Sequence, residues 1–160
     1  MSEYHNPVLL DKCVSYLIGD DRDGVFVDAT FGGGGHSREI LNRLSAKGRL
    51  TAVDKDQDAI DNAFKDDRLT LIRNNFRFIH NFVLEQGYSS GVDGVLADLG
   101  VSSHQFDTPE RGFSFRFDAP LDMRMNVKAE KTAADIVGSY SEEDLERVLR
   151  MYGEVDGSRK

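Results

Sequence analysis

Cysteine occurs once, at Cys13, so no internal disulfide can form, and no neighbour is of a kind that would activate a catalytic thiol. Cys13 is expected to be a buried spectator. No stretch approaches the roughly 20 apolar residues that a membrane-spanning helix needs. The opening MSEYHNPVLLDKC also lacks the basic-then-apolar order of a secretion signal. A cytoplasmic protein with no membrane association is the expectation. Basic residues are outnumbered, 20 against 28 acids, and the net charge of -8 argues against general binding to nucleic acid. Phosphate contacts need lysine and arginine gathered on one face. The histidines at positions 5, 36, 80 and 104 show no zinc-ligand spacing, so no metal is expected. Internal repeats and low-complexity tracts are missing too.

What is present is an alternation. After a short helical run ending near Ile18, VFVDAT is a compact apolar run rich in β-formers, expected as a strand over residues 25–30. The glycines from Gly32 to Gly35 interrupt it. Ile40, Leu41 and Leu44 then recur at helical spacing until Gly48. RLTAVDKD is a second strand, and Ala59, Ile60, Ala63 and Phe64 mark one face of a second helix. LTLIRNN follows as a third strand. Asn74 or Asn75 can cap a helix built on Phe78, Ile79, Phe82 and Val83, and GVDGVLADLG supplies a fourth, nearly all-apolar strand. This β-α-β-α-β-α-β order predicts an α/β fold with a parallel sheet.

Periodicity disappears from Gly100 to Lys131, a length that inside a domain is usually functional. Residues 111–131 carry Arg111, Arg116, Arg124, Lys128 and Lys131 against three acids, so a polyanion is expected to meet this segment. Thr132 with Asp135 and Ser141 with Asp144 resemble capping boxes, and Leu145, Val148, Leu149 and Tyr152 form the stripe of a final helix.

Ligands of parallel α/β sheets bind beyond the carboxyl ends of the strands, and those ends carry Asp28, Asp54 and Asp98. All three acids are expected to line one crevice. Gly32 to Gly35 let the backbone approach a ligand, and the helix that follows offers unpaired amides to a carboxylate or phosphate. A dinucleotide fingerprint G-x-G-x-x-G fails in both frames, because Ser37 or Arg38 stands at its third glycine. No lysine follows the glycines as a triphosphate loop requires. S-adenosyl-L-methionine fits best among common ligands, its carboxylate at the glycine turn and its ribose hydroxyls at Asp54. The bland alternative is a loose connection at Gly32 to Gly35, with Asp54 as an N-cap for the helix beginning near Asp56.

With DATFGGGGHS, AVDKD, ADLGVSSHQFD and RGFSFRFDAPLDMRM in one order, the sequence resembles the bacterial family that methylates cytidine N4 in 16S ribosomal RNA of the small subunit. The resemblance runs from HNPVLL to MYGE. It implies a Rossmann-like class I S-adenosylmethionine-dependent methyltransferase. Residues 1–110 would form an incomplete cofactor domain, and residues 111–160 a connecting loop and the start of a helical substrate domain. The family's cofactor positions fall on Gly34, Gly35, His36, Asp54, Phe76, Asp98 and Gln105. His36 would line the methionine end, Phe76 would wall the adenine, and Gln105 would bond an adenine edge or the ribose.

The reaction so implied relies on positioning more than on acid or base strength. An acceptor near Asp98-Leu99-Gly100 would take the proton released by the cytidine amine, which makes Asp98 the candidate catalytic group. Ser102 and Ser103 would orient the base, Phe113, Phe115 or Phe117 would stack on it, and Arg111, Arg116 and Arg124 would meet phosphates. The cytidine must be flipped or single-stranded to reach a buried methyl donor. Family members are longer and add strands to the sheet, so the resemblance implies a fragment with four strands and an exposed edge. Two other readings stay open: a non-enzymatic adenosylmethionine-binding module, and a dinucleotide-dependent oxidoreductase lacking its third fingerprint glycine.

Overall fold

The computed structural model describes residues 7–156, so His5 and the first residues of HNPVLL lie outside the described part. Two compact units are present: residues up to His104 together with Met125–Val127, and Gln105–Arg124 together with the residues from Lys128 on.

The first unit is built on a parallel sheet of four strands: β1 (Val25–Asp28), β2 (Arg49–Asp54), β3 (Leu69–Arg73) and β4 (Gly94–Leu96). Their order is β3-β2-β1-β4, with every neighbouring pair parallel. The chain steps outward from β1 to β3 and then returns across β1 to lay down β4. That reversal puts a topological switch point between the carboxyl ends of β1 and β4, where sheets of this kind bind ligands. Central strands are more deeply buried than edge strands: Phe26, Val27, Leu50, Ala52 and Val53 are sealed, whereas Val95 of β4 is 53% exposed. Among the described residues β4 pairs only with β1, so one of its edges is open.

Helices α1 (Leu10–Ile18), α2 (Gly35–Arg43), α3 (Gln57–Asp61) and α4 (Ile79–Glu85) connect and cover these strands. Ile40, Leu41 and Leu44 enter a core with Val14, Ile18, Phe26 and Leu50, as their helical spacing predicts. Cys13 is a free thiol but half-buried rather than buried, because α1 turns Val14 and Ile18 inward instead.

Strand ends are shorter than expected and for a local reason. β1 stops at Asp28 because the Asp28 carboxylate accepts the Thr30 amide at 3.0 Å, bending the chain. Helix α3 closes at Asp61, short of Ala63 and Phe64. The Asn62 side chain donates to the Asp58 carbonyl at 2.7 Å, competing with helix continuation, while Ala63 and Phe64 pack against Phe31, Ala52 and Ala59 from the following turn. Asn75, not Asn74, is the cap after β3, accepting the Arg77 amide at 3.0 Å and opening a 3-10 turn, Phe76–Phe78, that runs into α4.

The stretch from Gly100 to Lys131 contains more structure than its lack of periodicity predicts, with α5 (Ser103–Asp107) and a 3-10 turn at Pro109–Arg111. Within the second unit the RGFSF and PLDMR strings fold onto each other: the Met123 amide donates to the Arg111 carbonyl at 3.0 Å. Gly112 sits at φ +69, where a Cβ would lie 2.4 Å from the Pro120 carbonyl oxygen. Only glycine fits that crossing. The Thr132 and Asp135 capping box forms as written and starts α6 (Ala133–Ser139), and Ser141 caps α7 (Glu142–Gly153). In this unit Leu149 and Tyr152 of the α7 stripe remain exposed. No helix among the described residues is long and apolar enough to cross a membrane.

Candidate functional site

Because the strands are parallel, the turns that follow all four of them open on one edge of the sheet. The first of these turns is the glycine run. Gly34 has φ +74, and a Cβ there would lie 2.8 Å from the Phe31 ring. A Cβ on Gly35 would lie 2.3 Å from the Pro7 ring. The run is therefore a packed turn rather than a loose connection: the Phe31 ring beneath it leans on Phe64 at 6.0 Å, and Phe64 carries the Arg38 guanidinium 4.1 Å over its face. Helix α2 starts at Gly35 without a side-chain cap among the described residues, and first-turn amides of a helix have no partner within the helix itself.

Each strand end holds this turn differently. Asp28 is wholly buried, accepting the Ser37 hydroxyl at 2.6 Å and the Thr30 amide at 3.0 Å. Burial pushes its carboxyl above the usual carboxylate range, and the Ser37 and Thr30 bonds oppose that rise. The expected crevice of three acids thus fails at Asp28, which faces the interior and fastens β1 to α2. Asp54 accepts the Gly32 amide at 2.7 Å through one oxygen and the Asp56 amide at 2.9 Å through the other. The N-cap of α3 is Asp56, whose side chain accepts the Asp58 amide, so Asp54 is not that cap. A carboxylate has about four acceptor positions, and Asp54 retains capacity beyond these two bonds.

His36 lies in the first turn of α2 and is 5% exposed. Its Nδ1 is 3.9 Å from an Asp98 carboxylate oxygen, and among the described residues its buried Nε2 has no hydrogen-bond partner. Asp98 lies two residues past β4 with a half-exposed side chain, and its amide donates to the Thr30 hydroxyl at 2.7 Å. Phe76 opens the 3-10 turn after β3 and is 43% exposed, an apolar ring left facing outward. Gly34, Gly35, His36, Asp54, Phe76 and Asp98 therefore all stand at strand ends of the first unit. Gln105 is buried and belongs to the second unit.

The basic residues of the second unit divide. Arg124 is bound by Asp122 at 2.7 Å and by the Ala129 carbonyl at 2.8 Å, and the guanidinium holds the Asp122 carboxyl below its usual range. Arg111 is buried and donates to the Arg124 carbonyl at 3.1 Å. Both brace the fold rather than await a phosphate. Arg116 is exposed, 3.7 Å from Asp107, and Phe115 beside it is fully exposed. Among the described residues no group of three or more histidine, cysteine or acidic side chains is arranged to hold a metal. The roles of Thr30 and Ser37 and the 3.4 Å pairing of His104 with Asp58 were not marked by the local sequence pattern. A hydroxyl two residues after a strand-end acid was the available signal for Thr30.

The strand order, the glycine turn after β1 and the acid closing β2 define the Rossmann-like α/β fold of methyltransferases. The chain matches the MraW methylase family over residues 2–160 and belongs to it. It is 59% identical over 154 residues to the ribosomal RNA small subunit methyltransferase H of Flavobacterium johnsoniae, covering 96% of this chain and 50% of that protein. The protein of the same name from Parabacteroides distasonis is 56% identical over 158 residues, covering 98% of this chain and 51% of its own length. That from Cytophaga hutchinsonii is 55% identical over 159 residues, covering 98% and 52%. The chain thus spans about half the length of the curated relatives it matches.

Proposed function

We propose that this chain binds S-adenosyl-L-methionine and forms the cofactor half of a methyltransferase acting on the N4 amine of a cytidine in 16S ribosomal RNA. The observation that carries the reading is His36 at the start of α2, beside the glycine turn: its buried Nε2 has no partner among the described residues, while its Nδ1 lies 3.9 Å from an Asp98 carboxylate oxygen. A buried polar atom without a partner costs about 1–3 kcal/mol, so a ligand that supplies one is favoured there. The residues fit this cofactor: the head of α2, uncapped by a side chain among the described residues, suits its carboxylate, and the spare acceptor capacity of Asp54 suits ribose hydroxyls. Gly34, Gly35 and His36 hold the methionine end, Phe76 walls the adenine, and Asp98 completes the set that the first unit supplies.

When bound, the cofactor supplies a methyl group on a positively charged sulfur. The chain's own residues orient and accept. Asp98 is half-exposed at the switch point and is the acceptor for the proton that the cytidine amine releases. His36 Nδ1 lies 3.9 Å from that carboxylate, on the helix that opens at the glycine turn. Phe115, fully exposed in the second unit, offers a stacking face to a base, with Arg116 for a phosphate. Residues 1–110 carry the cofactor and residues 111–160 begin the RNA-facing part, with the ribosome and its cytoplasm as the setting.

Calorimetric titration with adenosylhomocysteine, adenosylmethionine and NAD tests the first half of the reading. Adenosylhomocysteine is expected to bind and NAD is not, and preference for NAD would overturn the assignment. Methyl transfer from labelled adenosylmethionine to purified small subunits, beside a full-length relative as positive control, tests the second half. Binding without transfer reduces the chain to a cofactor-binding module.

A further inference from the structure

We infer that Thr30 is a positioning residue for Asp98, a latch that spans the switch point and sets where the Asp98 carboxylate stands relative to the cofactor turn. The inference rests on the cofactor reading above and deepens it. Asp98 follows β4, a strand of only three residues, and lies past the ladder that pairs Leu96 with Asp28. Strand pairing therefore does not hold its backbone. The Asp98 amide instead donates to the Thr30 hydroxyl at 2.7 Å, a bond between residues 68 apart in sequence.

Thr30 is itself fixed. Its amide donates to Asp28 at 3.0 Å, and the other Asp28 oxygen accepts the Ser37 hydroxyl of α2 at 2.6 Å. A chain of hydrogen bonds thus runs from α2 through Asp28 and Thr30 to Asp98. It ties the helix that begins at the glycine turn to the backbone of the acid beyond β4. The same arrangement holds the Asp98 carboxylate at 3.9 Å from His36, on that same helix. Asp54 performs the matching service on the other side, tying Gly32 to the end of β2. Bonds that fix the distance between two ligand-contacting groups matter because small misplacement is costly in a preorganised site.

The test compares Thr30→Val, Thr30→Ser, Asp98→Ala and the Thr30→Val/Asp98→Ala double variant with the wild-type chain, using adenosylhomocysteine titration. Valine keeps the shape and removes the acceptor, so binding is expected to weaken roughly three- to tenfold, the fold-change of one hydrogen bond. Serine is expected to restore wild-type affinity. Without the Asp98 side chain the latch has nothing to position, so Thr30→Val should change the affinity of the Asp98→Ala chain less than about twofold. Hydrogen exchange gives a readout free of ligand: the Asp98 amide should exchange faster in Thr30→Val and not in Thr30→Ser. An equal loss in both backgrounds, unchanged affinity in Thr30→Val, or unchanged Asp98 exchange overturns the inference while leaving the cofactor reading intact. A wild-type chain that binds no adenosylhomocysteine overturns the cofactor reading first and this inference with it.

Discussion

Replacing Asp54 with alanine separates two jobs that one carboxylate performs. The first job is internal: its oxygens accept the Gly32 amide at 2.7 Å and the Asp56 amide at 2.9 Å, joining the glycine turn to the end of β2 and the start of α3. Hydrogen bonds to a charged group are worth about 1.5–3 kcal/mol in partly buried sites, but Gly32 and Asp56 regain water when the carboxylate is lost. The net cost in folding stability is therefore expected near 2 kcal/mol, read by urea denaturation. The second job is external. If the remaining acceptor positions bind ribose hydroxyls, Asp54→Ala weakens adenosylhomocysteine by roughly 10- to 150-fold, the range that 1.5–3 kcal/mol spans. Asp54→Asn weakens both jobs without removing either. An amide offers only one oxygen, so one of the two backbone bonds is lost and the ribose loses a charged acceptor. Affinity that stays at the wild-type value while stability falls would show that Asp54 only builds the turn, and the cofactor assignment at β2 would have to be abandoned.

Other consequences are equally direct. Gly34→Ala adds a Cβ 2.8 Å from the Phe31 ring at φ +74, so the left-handed backbone alone should cost about 1–2 kcal/mol, and cofactor affinity should drop with it. Equal stability and affinity would mean that the turn is not packed as described. Asp66 is held down to about 2 by Arg68, whose guanidinium also caps the carbonyls of Leu41 and Leu44. A depressed carboxyl stabilises the fold above its unfolded value near 3.8 and loses that contribution as pH falls through about 2. Asp66 is 23% exposed at its side chain, so solvent reduces the contribution to about 1 kcal/mol. The stability gap between wild type and Asp66→Asn should accordingly close between pH 4 and pH 2 in denaturant titrations. A gap independent of pH would assign the loss to packing instead.

The glycine turn was legible because its evidence is local. A strand of β-formers, a glycine run and an apolar helical period lie within about twenty consecutive residues, and each follows from side-chain shape and backbone freedom. Asp54 was legible for the same reason, as the acid that ends an apolar strand. The fate of Asp28 was not. Asp28 and Asp54 occupy equivalent positions in sequence, yet one is sealed against Ser37 and the other keeps open acceptor positions. Arg111 and Arg124 likewise read as free cations in a basic segment, whereas folding turned them onto Asp122 and backbone carbonyls.

By itself, then, the amino-acid order determined the alternation of strands and helices, the parallel sheet and the glycine turn at the head of α2, because hydrophobic period and turn chemistry act over a few residues. Tertiary structure alone decided that β4 returns to lie beside β1, that Asp28 points inward, and that Thr30 reaches Asp98 across 68 residues. Those outcomes depend on which strands become neighbours and which way each pleat faces once the core closes, and a pairing between distant segments leaves no mark on the local pattern of either.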